Sequence, residues 1–281
     1  MASRRLLTLT LPPVVIGYGI HYELNVLESK YPAIPPESST SLALRTPHNS
    51  RTQHCGDIDV YSARVPLRAL QHAKERRGAG KATTPQDEWA RTLLNSPTLR
   101  TEASLIGLFT TGRFTPGDTG NTPGGLNPEI EPGVPRKLLN GVFTVQRPPS
   151  PDPTLSNENS LLVSWEIAPV PREFFERIAR WGYPWRLMSG GRHEISVSRP
   201  DTEGDEIREP FVEVRFASAH DYETVSEEGG LEKQKKIPEW TGRLHRGYAR
   251  WVLDSAVQEL KSSSNVDFQI STSSNSSKPA C

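Results

Sequence analysis

Cysteine is nearly missing from this sequence: of 281 residues only Cys55 and the terminal Cys281 carry a thiol. A disulfide framework is not expected, and the usage fits a reducing compartment such as the cytoplasm. Charge of one sign is missing too. Lys plus Arg number 33 and Asp plus Glu 33, so the basic footprint of a nucleic-acid binder is absent and no nucleic-acid partner is expected. No stretch approaches the roughly 20 apolar residues of a membrane span, and no membrane partner is expected. The apolar run 6–16 behind Arg4 and Arg5 has the outline of a secretory leader. Pro12 and Pro13 interrupt it, and no small-x-small site follows, which argues against that reading.

The standard catalytic signatures are absent as well. There is no G-x-S-x-G elbow, no phosphate loop, no G-x-G-x-x-G, no H-E-x-x-H and no C-x-x-C. None of the seven histidines forms an i, i+4 helical pair or an i, i+2 strand pair, so no metal site and no cofactor are expected.

What is present divides the chain in three. Residues 1–56 are rich in Pro, Ser and Gly and read as an extended segment and loop. Residues 57–260 carry the periodic patterns of one domain, and 261–281 lack the apolar content to fold and read as a disordered tail. Within the domain, 57–65 alternates as a strand, with Ile58 and Val60 on its buried side. Thr83 or Thr84 caps a helix that starts at Pro85 and carries Trp89, Leu93 and Leu94. Residues 99–109 fit helix or strand equally. The stretch 115–135, dense in Gly, Pro and Asn, is long enough for a lid over a site. Strands follow at 138–146, 161–167, 192–199 and 211–225, with a short helix at 173–181. From Pro238 a helix runs to about residue 260 with Trp240, Leu244, Tyr248, Trp251 and Val252 in one stripe.

Antiparallel strands closed by one long amphipathic helix are the layout of helix-grip domains. The segments GGRHEISV (190–197), VEVRFASAHDYE (212–223) and LHRGYARWVLDSAVQEL (244–260), with DIDVYSARVPL (57–67), resemble the START-like, polyketide-cyclase-type superfamily of the kind found in fungal natural-product clusters. The resemblance implies an α+β fold in which a curved antiparallel sheet grips the C-terminal helix around an apolar cavity. It also implies an apolar small-molecule ligand and, for some members, cyclisation without a cofactor.

On strand parity, His193 shares a face with Ile195 and Val197 and points into such a cavity. His220 and Tyr222 share the face of Val212, Val214 and Phe216 if that strand continues without a bulge. A bulge turns Asp221 and Glu223 inward instead. His193, His220, Tyr222 and Asp221 are therefore the candidate catalytic residues. Each has a bland alternative: a satisfied core histidine, or a group in a surface loop. Trp165, Trp185 and Tyr248 line a cavity if there is one, although aromatic residues serve any core. Arg192 and Arg215 are candidate donors to a ligand carbonyl, against the commoner fate of exposed salt bridging. Tyr18, between Gly17 and Gly19, is a weaker substrate-binding candidate.

These features favour shaping a substrate over covalent chemistry. The expected function is a cofactor-independent cyclase or isomerase of natural-product biosynthesis, with the intramolecular Diels–Alder type as one candidate reaction, acting on an apolar terpenoid or polyketide as a monomer or homodimer. The competing expectations are a non-catalytic carrier and a histidine–carboxylate dehydratase or aldol-type cyclase.

Overall fold

The computed structural model describes residues 2–77, 83–122, 124–150, 159–201 and 210–274. The fold is α+β. Helix α1 (Ala2–Lys30) and the single turns α2 (Pro36–Ser39) and α3 (Leu42–Arg45) precede strand β1 (Gln53–Pro66). Helices α4 (Leu67–Arg76), α5 (Pro85–Leu94) and α6 (Pro97–Thr110) follow, then the short strands β2 (Glu129–Glu131), β3 (Val134–Pro135) and β4 (Lys137–Leu138). The chain continues through β5 (Phe143–Arg147), β6 (Leu161–Glu166), α7 (Pro169–Arg180), β7 (Gly190–Val197), β8 (Phe211–Glu223) and the terminal helix α8 (Glu239–Ser274).

Six strands form one antiparallel sheet in the order β1-β8-β7-β6-β5-β4, an open sheet with β1 and β4 at its edges. β8 pairs with both β7 and β1, and the β7–β8 register runs from Gly190↔Asp221 to Val197↔Val214 without a shift. The only slip along β1 lies between Cys55 and Asp57. Because parity is unbroken through β8, residues 212, 214, 216, 218, 220 and 222 face one side.

That inner face meets the helices. Ile195, Val197, Val214 and Phe216 join Leu70, Trp89, Leu93, Leu94, Val252, Leu253 and Val257 in the main core. At roughly 1.5–3 kcal/mol per fully buried large apolar side chain, this layer dominates the stabilisation. Helix α5 begins as its sequence dictates: Thr84 Oγ1 accepts from Asp87 N, Asp87 Oδ2 accepts from Thr84 N, and Pro85 opens the first turn. Trp89 Nε1 then donates to the Arg215 carbonyl at 3.0 Å, fixing α5 on the sheet. The outer face is covered by the α2–α3 segment, with Leu44 on Val60, Leu162, Ala217 and Ala219. β1 is thus buried on both sides: Val60 faces α3, while Tyr61 and Val65 face the main core.

Several expectations are corrected. The segment 1–56 is not extended, since residues 2–30 form α1. Tertiary contacts stabilise that helix where local propensity does not. Leu24 packs over Gly247 of α8, Arg243 donates to Glu28 and Asn25, and Lys30 and Tyr31 both donate to Asp254 at 2.6 Å. The helical state of α8 continues through 261–274, expected as part of a tail, and 275–281 lie outside the described residues. Residues 99–109 are helical, following Pro97 at the first turn. The loops expected at 74–81, 148–159 and 200–210 fall partly outside the described residues. Among the described residues no helix is long and apolar enough to cross a membrane.

Candidate functional site

A pocket of about 380 Å³ opens between the inner face of the sheet and helices α6 and α8. Its sheet wall is Phe143, Trp165, His193 and Phe216, one residue from each of β5 to β8. Its helical wall includes Leu99, Glu102, Ala103 and Ile106 of α6, and His245, Tyr248, Ala249 and Val252 of α8. Its size and its apolar lining with a few polar groups are those of a small-molecule site.

His193 occupies the middle of the sheet wall. It stands opposite Ser218 on β8 and Val163 on β6. Its ring is surrounded by the aromatic rings of Phe143 at 5.2 Å, Phe216 at 5.1 Å and Trp165 at 6.1 Å between centroids. Nδ1 is buried with no hydrogen-bond partner among the described residues. Burial, assisted by His245 and opposed by a hydrogen bond to the Ala217 backbone, lowers its pKa to about 3, so the ring is neutral at physiological pH. Trp165 Nε1 is likewise buried without a partner. The indole has room because Gly191 stands opposite it, where a Cβ would come within 2.7 Å of the ring.

One step along β8, His220 Nε2 meets His245 Nε2 of α8 at 2.8 Å and Ser218 Oγ at 3.1 Å. Burial lowers both pKa values. His245 and then His193 add to it at His220, and Arg246 adds to it at His245. His245 also lines a second, polar cleft with Asp57, Asp59, His220, Lys236 and Arg246. The pair therefore separates an apolar pocket from a polar one. On the opposite wall, Tyr248 Oη donates to Glu102 Oε2 and ties α8 to α6. Burial, then Glu102, raises the Tyr248 pKa.

Of the residues singled out from sequence, His193, Trp165 and Tyr248 line the pocket and His220 sits directly behind it. The others are elsewhere. Tyr222, still on the inner face, stacks on His54 at 5.9 Å, beyond the pocket lining. Asp221 and Arg192 point to the outer face as a buried bidentate ion pair, at 2.6 and 2.8 Å, and Arg192 Nε donates to the Leu44 carbonyl. Arg215 pairs with Glu213 and lines a different cleft. Trp185 is half-exposed against Tyr183, and Tyr18 is exposed on α1. No described residue of the stretch 115–135 lines the pocket, so the expected lid is not over it. It is tied down instead, by Arg136 to Asp118 at 2.8 Å and by Asn140 to the Thr115 carbonyl at 2.6 Å.

Sequence reasoning missed His245 and Glu102. The available signal for His245 was its place at i−3 to Tyr248 on α8; for Glu102 there was none while 99–109 stayed unassigned. Fold and site together define an α+β protein with a six-stranded antiparallel sheet and an apolar, histidine-bearing pocket beneath its C-terminal helix. Compared with known proteins, the chain matches no family model, no curated protein and no solved structure.

Proposed function

We propose that this is a helix-grip protein of the START-like, polyketide-cyclase type and a cofactor-independent cyclase or isomerase acting on an apolar substrate of terpenoid or polyketide character. The observation that carries the reading is His193, a buried imidazole whose Nδ1 lacks a partner in the wall of an apolar pocket. Leaving a buried polar group unpaired costs about 1–3 kcal/mol, and in the tautomer that carries its proton on Nδ1 a ligand carbonyl accepting from that N–H would recover it.

The pKa selects the role. A general base works best with a pKa near the operating pH, and at about 3 His193 is too weak a base for neutral conditions. A neutral imidazole is instead suited to donating to a carbonyl, polarising a dienophile or enone as charge develops on its oxygen. The aromatic and aliphatic walls hold the flexible remainder of the substrate in a reactive fold and so lower the entropic part of the barrier. Bond reorganisation within one molecule then needs no further reactant.

A second reading, a proton-transfer cyclase or dehydratase, draws on the His220–His245 pair and its outlook on Asp57 and Asp59. The test is incubation of the protein with apolar metabolite extracts, scoring by mass spectrometry both the retained ligand and its conversion. Turnover with a rate flat from about pH 5.5 to 8, lost in His193→Phe, supports the donor role. A bell-shaped profile moves the chemistry to the histidine pair. Ligand recovered unchanged makes the protein a carrier.

A further inference from the structure

Helix α7 is amphipathic with its apolar side outward. Val170, Phe174 and Trp181 recur at helical spacing along one side and are exposed by 79%, 55% and 78%. Phe175 on the flank is exposed too. The buried residue of α7, Ala179, lies on the opposite side, and Glu176 turns inward to Arg186 at 2.8 Å. Helices of globular domains turn the apolar stripe to the core, so a stripe turned to solvent marks a surface that something covers.

Charge and composition say what. Arg177 and Arg180 flank the stripe with Glu173 beside them, while Glu176 turns inward to Arg186, which it shares with Glu228, and Arg172 lies on the opposite side of the helix. This local positive excess sits on a chain whose overall charge is zero. Tyr183 and Trp185 follow the helix, part-exposed, with their rings edge-on at 5.4 Å. Phe and Trp on one side with arginines beside them, followed by Tyr and Trp, is the composition of a helix lying in a membrane interface. The place fits as well. α7 lies in the connection between Glu166 and Met188, both in the pocket lining, so the docked face and the pocket belong to one stretch of chain.

We propose that α7 and the aromatic turn 181–185 dock this face on an anionic lipid surface, from which an apolar substrate reaches the pocket. The docking is peripheral, with the stripe at the boundary of headgroups and acyl chains. It rests on the proposed apolar ligand only for what is fetched.

The experiment is cosedimentation of the full chain with phosphatidylcholine vesicles, with and without phosphatidylserine. Binding is expected to be stronger with phosphatidylserine and weakened by salt. Phe174→Asp and Trp181→Asp should abolish it, while Arg177→Gln and Arg180→Gln should each lower affinity for the anionic vesicles about five-fold. These side chains are exposed, so the urea midpoint serves as the folding control. Failure to sediment with either vesicle overturns the proposal. So does loss caused by Ile16→Asp on α1, whose Val15, Ile16 and Ile20 are also exposed, with the α7 variants binding normally. A dimer abolished by Phe174→Asp, in a protein indifferent to vesicles, would assign the stripe to a second copy of the chain and overturn it too. A pocket that proves empty of ligand leaves the vesicle result standing, so the two readings fail separately.

Discussion

His220 and His245 face each other Nε2 to Nε2 at 2.8 Å, a separation at which one ring donates and the other accepts, so a single proton lies between them. The contact joins the last strand to the last helix, and burial keeps both rings from taking up a further proton at neutral pH. Acidification should therefore act on this protein through its histidines.

The pH dependence of stability follows from His193, the ring with the most definite shift. Its folded pKa of about 3 lies below the unfolded value of about 6.5. As pH falls, the unfolded chain binds the proton first, so stability that is full above about 6.5 is lost progressively toward pH 3. At 1.36 kcal/mol per unit, His193 alone accounts for about 2 kcal/mol between pH 6.5 and 5. His220 and His245 act in the same direction, while burial-raised Asp221 and Glu194 oppose it. The difference between wild type and His193→Phe in urea unfolding across pH isolates the His193 contribution. Parallel curves would mean that the ring titrates normally.

Asp221 is assigned by its contacts to the framework rather than to chemistry. Asp221→Asn leaves the Arg192 guanidinium buried without its counter-charge, and the expected loss is about 3–5 kcal/mol in chemical denaturation. Replacing both partners by leucine should recover much of that loss. Uptake of an apolar dye by the pocket should be unchanged wherever the variant is folded. A loss below about 1 kcal/mol would show that water reaches the pair.

The placement of these residues shows what could be read from the sequence. The inward set on β7 and β8 was legible because period-two alternation runs through both strands and no bulge intervenes. The outward set was not. Arg192 and Asp221 looked available for a ligand because the segment that buries them, 36–45, has the composition of a loop; Leu44 and Ser41 reach the sheet, Ser41 on Glu194, only through tertiary packing. Helix periodicity identifies a stripe but not the direction in which it points. Trp240, Leu244 and Trp251 of α8 are exposed, and the pocket and core take Tyr248, Ala249, Val252 and Leu253 one step round the helix. Helix α1 was illegible for another reason: its partners lie more than 200 residues away on α8.

Gly191 should tolerate no side chain. It stands between Trp165 on β6 and His220 on β8, and an added Cβ would meet both the Trp165 ring and the Ala219 carbonyl, the latter fixed in the sheet. Gly191→Ala is expected to lower stability by about 1–3 kcal/mol through overpacking and to shift the Trp165 indole from its place beside His193. Tryptophan emission and dye uptake should change together. An alanine variant with native emission and stability would place the indole elsewhere.

The hydrogen bond from Tyr248 to Glu102 closes the helical side of the pocket, and its removal separates two effects. Tyr248→Phe deletes one half-buried bond, so the stability loss should be about 1 kcal/mol, with the core contacts of α8 unchanged. Glu102→Gln keeps an acceptor for the phenol and should cost less. If the bond restrains α6 against α8, Tyr248→Phe will speed both entry and release of an apolar dye in stopped-flow fluorescence while changing its equilibrium affinity little, because a constraint on access alters both rates alike. An affinity loss carried by the off-rate alone would instead make Tyr248 a direct ligand contact. Spectrophotometric titration gives an independent reading: with burial and Glu102 both holding the phenol protonated, Tyr248 should remain un-ionised above the ordinary tyrosine range until the protein unfolds.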